Sequence, residues 1–313
     1  MDEHNSYWNI EIINPPDKKG FKYALFDFDG TISLLREGWR DIMIPYFVEV
    51  LSAVDTSSDI TMGTSSDISE ITEMGVDIVD KSQTITGIGV ITDKVVDIDK
   101  ITEMVANFVD TLTGKQTIFQ CIRLDEEVQL RGGPATDPLE YKKEYLRRLM
   151  AQIESRHESI KNKTAQPSDY LVPGCVEFLS LLKNKGVKLY LASGTDETDV
   201  IAEADLLEVS GFFNGCIYGA RDEVTDCSKE LVIRQILEDN NISGEELISF
   251  GDGYVEVQLV KDIDGYAVAV ATNEKERKGI NLHKRERLLK AKADAVIPDF
   301  SEPETLLDFI MSI

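Results

Sequence analysis

Two aspartates one residue apart, Asp27 and Asp29, close the apolar run Tyr23-Ala24-Leu25-Phe26 and lead into Gly30-Thr31. In an extended strand, side chains two apart point to one side, so both carboxylates share a face, with Phe28 opposite. At ~4 Å such a pair repels by roughly 1–4 kcal/mol, depending on local dielectric, unless a cation or a shared proton relieves it. Further chemistry-bearing groups stand after other apolar runs: Ser193-Gly194-Thr195, then Lys229 opening a helical pattern, then Gly251-Asp252-Gly253 with Glu256 close behind. Two aspartates from one strand and a third from another make an oxygen-rich cage of the kind that suits Mg²⁺, with water and a substrate phosphate completing it.

The elements needed to position these groups are legible as alternation. Apolar, β-rich segments at 22–28, 187–193, 215–219, 247–251 and 266–272 are each followed by turn residues or a helical pattern. That pattern predicts an α/β fold, a doubly wound parallel sheet with the first of these strands central. Ligands of such sheets bind outside the carboxyl ends of the strands, which is where the polar groups fall. A short run at 295–297, stopped by Pro298, is expected at a sheet edge, and the segment 8–13 as an additional edge strand. Helices are expected over 175–184, 228–239 and 274–291.

The interval between the first two strands far exceeds an ordinary connection, so residues 35–169 are expected to form a helical domain of their own, inserted into a core made of 1–34 and 170–313. Its readable helices are 101–112, about 116–130 and 138–160, the last introduced by Asp137-Pro138. Residues 52–100 differ in kind, being rich in Ser, Thr, Asp and Ile. DISEITEMGVDIVD at 67–80 recurs as DIDKITEMVANFVD at 97–110, identical at eight of fourteen places. The second copy carries the helical apolar stripe. The first reads as a duplication tolerated at the surface, with a small hairpin expected at 84–92.

Composition narrows the function classes. The 313-residue chain is 42% hydrophobic with a formal net charge of −24, which disfavours a nucleic-acid groove or an anionic membrane as partner and favours a small ligand. No apolar run approaches the ~18 residues of a membrane span, and the first residues have no leader character, so the expected location is the cytoplasm. The four cysteines show neither a disulfide framework nor zinc-ligand spacing. His4, His157 and His283 have no partners at ligand spacing and are expected at the surface. Oligomeric state is not readable.

Taken together and in order, Asp27-Phe28-Asp29-Gly30-Thr31, Ser193, Lys229 and Gly251-Asp252-Gly253-Tyr254-Val255-Glu256 resemble the motif set of the haloacid dehalogenase superfamily. Val172-Pro173-Gly174 ahead of Ser193 is similar to its phosphoglycolate phosphatase and β-phosphoglucomutase branch. The resemblance implies a Rossmann-like core with a helical cap over 35–169, and a Mg²⁺-dependent phosphatase acting on a small phosphomonoester, either a sugar phosphate or a short phosphorylated acid. It implies Asp27 as nucleophile, forming an aspartyl-phosphate, and Asp29 as acid and base. Asp27, the Asp29 carbonyl and Asp252 become metal ligands, and Glu256, standing where many relatives have Asp, belongs to the metal site either directly or through the metal's waters. Ser193, Gly194, Thr195, Lys229, Gly30 and Thr31 become phosphate-site residues. Thr113-Gly114-Lys115-Gln116-Thr117 lacks the glycine spacing and the preceding strand of a nucleotide-binding phosphate loop, so Lys115 is read instead as a cap residue reaching toward the substrate. Arg36, at the entry to the cap, is read the same way, with Trp39 as packing. Two other functions stay open: a phosphomutase of the same branch, and a non-catalytic binding protein using 52–100 as its surface.

Overall fold

The computed structural model describes residues 9–16, 20–58, 97–221 and 228–311. A seven-stranded sheet runs through it in the order β1-β7-β6-β5-β2-β3-β4. The strands are β1 (Glu11–Ile12), β2 (Tyr23–Phe26), β3 (Lys188–Asp196), β4 (Ile217–Ala220), β5 (Leu247–Gly251), β6 (Tyr266–Val270) and β7 (Ala295–Ile297). All neighbours are parallel except β1, which pairs antiparallel with β7. The run at 295–297 is therefore not the edge, because the segment at Glu11–Ile12 covers it. β2 lies inside the sheet with parallel neighbours on both sides, β3 and β5. The chain winds from β2 to one side and later returns to the other, so the carboxyl end of β2 is a topological switch point.

Period two explains which side chain goes where. Ala24, Phe26, Ile248, Phe250, Val268 and Val270 face one hydrophobic layer with α5 (Cys175–Asn184), α6 (Glu197–Leu206) and α10 (Pro303–Met311). Leu25, Leu247, Ala267 and Ala269 face the other, with α7 (Ser228–Asn240), α8 (Tyr254–Lys261) and α9 (Leu282–Lys290). Buried on both faces, these strands read as continuous apolar runs, as parallel strands do. Phe26 stacks on Phe250 with ring centroids 4.7 Å apart, and Phe178 and Phe300 pack around them. This aromatic block sits directly beneath the ends of β2 and β5, so those ends have little freedom to move.

Between β2 and β3 stand α1 (Arg40–Ser58), α2 (Ile98–Thr111), α3 (Thr117–Leu130) and α4 (Pro138–Lys161), which share a hydrophobic cluster of their own. Phe47, Leu51, Val105, Val109, Leu124, Leu149 and Ile153 are buried in it. The stripe Ile101, Val105, Val109 of the second repeat copy supplies α2's buried face, and Asp97 caps that helix by accepting from Lys100 N. Asp137 does the same for α4, with Pro138 in its first turn. α1 has no counterpart in the sequence expectations, and it runs to Ser58, so 52–58 belong to a helix rather than to the surface duplication. The helix expected over 274–291 occupies only Leu282–Lys290; the residues before it turn and bridge Thr272 to Ile280. The first repeat copy and the 84–92 hairpin lie outside the described residues. Among the described residues no helix is long and apolar enough to cross a membrane.

Candidate active site

β2 stops at Phe26, and the chain then turns. Asp27 N still extends the ladder by donating to Phe250 O at 2.9 Å, while Gly30 adopts φ +76° and donates to Ser33 O at 2.8 Å. Glycine is required at position 30 for two reasons: that φ is left-handed, and a Cβ there would run into the Asp252 carboxylate and come within 3.1 Å of Lys284 Nζ. The turn thus brings Asp27 and Asp29 to the carboxyl ends of β3 and β5. Both line a cavity of about 90 Å³ with Ser193, Gly194, Thr195, Lys229 and Asp252.

The two aspartates occupy different surroundings. Asp27 is buried, and its Oδ1 accepts from Lys229 Nζ at 2.7 Å. Burial pushes its carboxyl well above the ordinary range, and nearby Glu256 and Asp252 add to the rise while Lys229 opposes it. Asp29 Oδ2 accepts from Thr195 Oγ1 at 2.8 Å and Ser193 Oγ at 3.3 Å. Its Oδ1 is buried with no hydrogen-bond partner, 4.0 Å from Arg36 Nε. Burial raises the Asp29 carboxyl to about 6, against the pull of Arg36. Ser193 Oγ also accepts from Thr195 N at 3.0 Å. Thr31 Oγ1 is buried without a partner beneath the same turn.

Asp27, Asp252 and Glu256 each offer an oxygen, and the three lie within 4.8 Å of one another. Such a hard-oxygen group fits Mg²⁺. The Asp29 carboxylate is not part of it, because its oxygens face the hydroxyls of β3 and Arg36. Glu256, with its longer side chain, reaches back under its own loop: Oε2 accepts from Lys229 Nζ at 3.0 Å and Oε1 from Gly253 N at 2.5 Å, capping α8. Gly251, Gly253 and Gly114 all crowd this carboxylate, and a Cβ at any of them would collide with it.

Two residues that the sequence reading passed over complete the cluster. Lys284 of α9 donates to Asp252 Oδ2 at 2.6 Å and to Glu274 Oε1 at 2.5 Å. Burial works to raise the Asp252 carboxyl, but Lys284 beside it brings it below the ordinary value. Burial likewise opposes the charge on Lys284, yet Asp252 and Glu274 push its ammonium up to about 12. Lys284 is largely enclosed by tertiary contact from within a run, HKRER, where charge hides any periodicity; its spacing of four from buried Leu288 is the signal that was available.

The helical layer roofs the cavity. The Thr113–Lys115 turn descends onto β3 so closely that a Cβ at Gly194 would lie 2.5 Å from Lys115 O. Trp39, Met43, Gln120, Tyr145 and Leu149 line the upper wall. Lys115 lines it as well, with its ammonium 5.5 Å from the Phe119 ring centroid. Trp39, expected as packing, does pack on the helical cluster and lines the wall too. Arg36, expected to read a substrate anion, lines the cavity and is at the same time engaged by acids of the protein itself. Nε and Nη2 donate to Glu203 at 3.0 and 2.7 Å, and Nη2 to Asp199 at 3.1 Å, with the side chain only 6% exposed. The protein's own carboxylates already match that cation. His157, expected at the surface, is part of this cluster, half-buried 3.6 Å from Glu203, and desolvation holds its imidazole below the usual range. His283 is exposed, as expected, and His4 lies outside the described residues. Cys121, Cys175 and Cys216 are free thiols, and Cys227 is not among the described residues.

A model of the haloacid dehalogenase-like hydrolase family matches residues 21–264. No curated protein sequence matches significantly. Among solved structures, a predicted phosphatase from Clostridium acetobutylicum is 15% identical with a TM-score of 0.52, covering 94% of this chain and 100% of its own. A β-phosphoglucomutase from Clostridium difficile is 12% identical with a TM-score of 0.51, covering 93% of this chain and 98% of its own. At such identities the likeness concerns the fold.

Proposed function

The chain belongs to the haloacid dehalogenase-like hydrolase family, and from that premise we propose that it is a Mg²⁺-dependent phosphatase of small phosphorylated metabolites, with α1–α4 as its cap. The observation that carries this reading is the division of labour between two aspartates in one cavity: Asp27 is oriented by a lysine, and Asp29 is held by two hydroxyls.

In the proposed reaction an Asp27 carboxylate oxygen attacks phosphorus, and the bond from phosphorus to the leaving oxygen breaks. Asp29 gives its proton to that oxygen. Water then attacks the aspartyl-phosphate, Asp29 takes the water's proton, and phosphate leaves with Asp27 restored. Thr195 and Ser193 keep the Asp29 carboxylate aimed into the cavity throughout. Lys229, between Asp27 and Glu256, keeps the nucleophile from turning away and sets positive charge beside the phosphoryl oxygens; the Ser193 hydroxyl and the Gly194 amide serve the same oxygens. Asp27 and Asp252, with the Asp29 carbonyl and with Glu256 close by, would hold a magnesium ion, which would supply the charge that offsets repulsion between carboxylate and phosphate. Lys115, at the roof, contacts the part of the substrate beyond the phosphate.

The test is a panel of phosphorylated metabolites scored for phosphate release with and without Mg²⁺. Metal-dependent release from a sugar phosphate or a short phosphorylated acid is the expected result. Isomerised phosphate esters with no free phosphate would point to a mutase, and no turnover of any member would remove the enzymatic reading.

A further inference from the structure

Lys284 is used by none of the steps above, yet it is one of the most enclosed cations of the described residues, with its side chain 11% exposed. Its two partners, Asp252 and Glu274, are 10% and 16% exposed, so the three form a compact ionic unit in low-dielectric surroundings. The ammonium also packs on the catalytic turn itself, as the space denied to a Cβ at Gly30 demonstrates. One turn further along α9, Arg287 Nη2 donates to the main-chain carbonyl of Asp252 at 2.9 Å. Asp252 is therefore held at its backbone by one α9 cation and at its carboxylate by another.

The charge count is informative. Asp27, Glu256, Asp252 and Glu274 are linked through two lysines, Lys229 and Lys284. Within this set four carboxylates meet two ammonium groups, with the Arg287 guanidinium at the Asp252 main chain in addition. The lysines are not equivalent, however. Lys229 bridges two members of the three-carboxylate group, whereas Lys284 bridges one member, Asp252, to an outside acid, Glu274. Lys284 thus has a second carboxylate on which to rest.

We infer that Lys284 is a positioning residue and built-in counter-cation: it holds Asp252 in the metal-free protein and competes with a divalent cation for that carboxylate, with Glu274 as the alternative partner that lets it yield. The inference rests on the reading of Asp252 as a metal ligand. It gives the site a defined geometry before metal arrives, because the repulsion among its acids is already balanced. It also weakens metal binding, since a cation entering the site is repelled by one already there.

Magnesium chloride titrated calorimetrically into the chelator-stripped full-length protein tests this, with thermal melting alongside. Lys284→Met is expected to bind Mg²⁺ about tenfold more tightly than wild type, while its metal-free form melts lower and gains more from Mg²⁺. Glu274→Gln is expected to do the opposite, binding roughly threefold more weakly, because Lys284 then has only Asp252 to pair with. Lys284→Arg keeps the charge and stays near wild type. Simple structural damage would weaken binding in both neutralising variants, so opposite signs are the signature. Equal or weaker binding by folded Lys284→Met overturns the inference; should that variant not fold, unchanged binding by Glu274→Gln does so. If wild type binds no Mg²⁺, or Asp252→Asn binds it as well as wild type, the metal reading itself fails and takes the inference with it.

Discussion

The floor and the roof of the cavity are built on opposite plans. On the floor, at the ends of β2, β3 and β5, acids meet cations or hydroxyls at hydrogen-bond distance: Asp27 with Lys229, Asp29 with Thr195, Asp252 with Lys284. On the roof, the helices and the turns that join them present Trp39, Met43, Tyr145 and Leu149, and Lys115, for which the described residues offer an aromatic face but no carboxylate. The floor rests on the aromatic block under the sheet, the roof on a separate hydrophobic cluster. Charge that must be placed to a fraction of an ångström stands just past strand ends and on the core helices packed beside them. Surface that must suit a substrate is on helices which can be replaced without disturbing those strands.

That contrast is broken most severely at the floor. Asp27→Asn is expected to abolish turnover, since an amide is a poor nucleophile. Asp29→Asn is expected to lose roughly 10²–10⁴-fold with ordinary alkoxide leaving groups. A nitrophenyl phosphate needs no leaving-group proton, so this variant should form the aspartyl-phosphate from it and hydrolyse it slowly. Rapid quench with labelled substrate should then find the label on Asp27; label elsewhere, or normal phosphate release by Asp27→Asn, refutes the covalent route.

Arg36 stands where floor and roof join, and its partners make the expected loss one of stability. Arg36→Ala leaves Glu203 buried without its cation, at a cost of about 3–5 kcal/mol, readable by denaturant unfolding. The double variant Arg36→Met/Glu203→Leu should recover most of it. A large rise in KM with unchanged stability would return Arg36 to the role of substrate reader.

At the roof, Lys115→Ala should raise KM about tenfold for a substrate with a polar tail while kcat changes little, because binding is lost equally from ground and transition states. An effect confined to kcat would move Lys115 to the floor. The smallest effect is expected from removing residues 62–93. The segments 59–61 and 94–97 then remain as a seven-residue connection between α1 and α2, within the ordinary range for helix pairs, and phosphate release should stay within about twofold of wild type. Deleting further, into 55–58, should be harmful, since those residues complete α1. Loss of activity in the shorter deletion would give the duplicated segment a part in the site.

How much was legible follows from what kind of information each feature needs. The strands were readable because buried parallel strands are locally apolar, and α2 and α4 because an apolar stripe and a capping aspartate both lie within a few residues of one another. α1 escaped because Ser, Asp and Thr at its end merge into the low-complexity stretch that follows it. Asp27, Asp29, Ser193, Lys229, Asp252 and Glu256 could be chosen as a set from their places after successive strands. What could not be read is which charge answers which. Nothing near Arg36 in the sequence points to Glu203, on α6 between buried Val200 and Leu207, as the carboxylate that holds it. Asp27 and Lys229 are 202 positions apart, Asp252 and Lys284 are 32. A strand, a cap or a turn is determined by neighbours in the chain; an ion pair is determined by distance in space and by the water excluded around it, and only the folded sheet with its helices brings those acids and cations into the same dry volume.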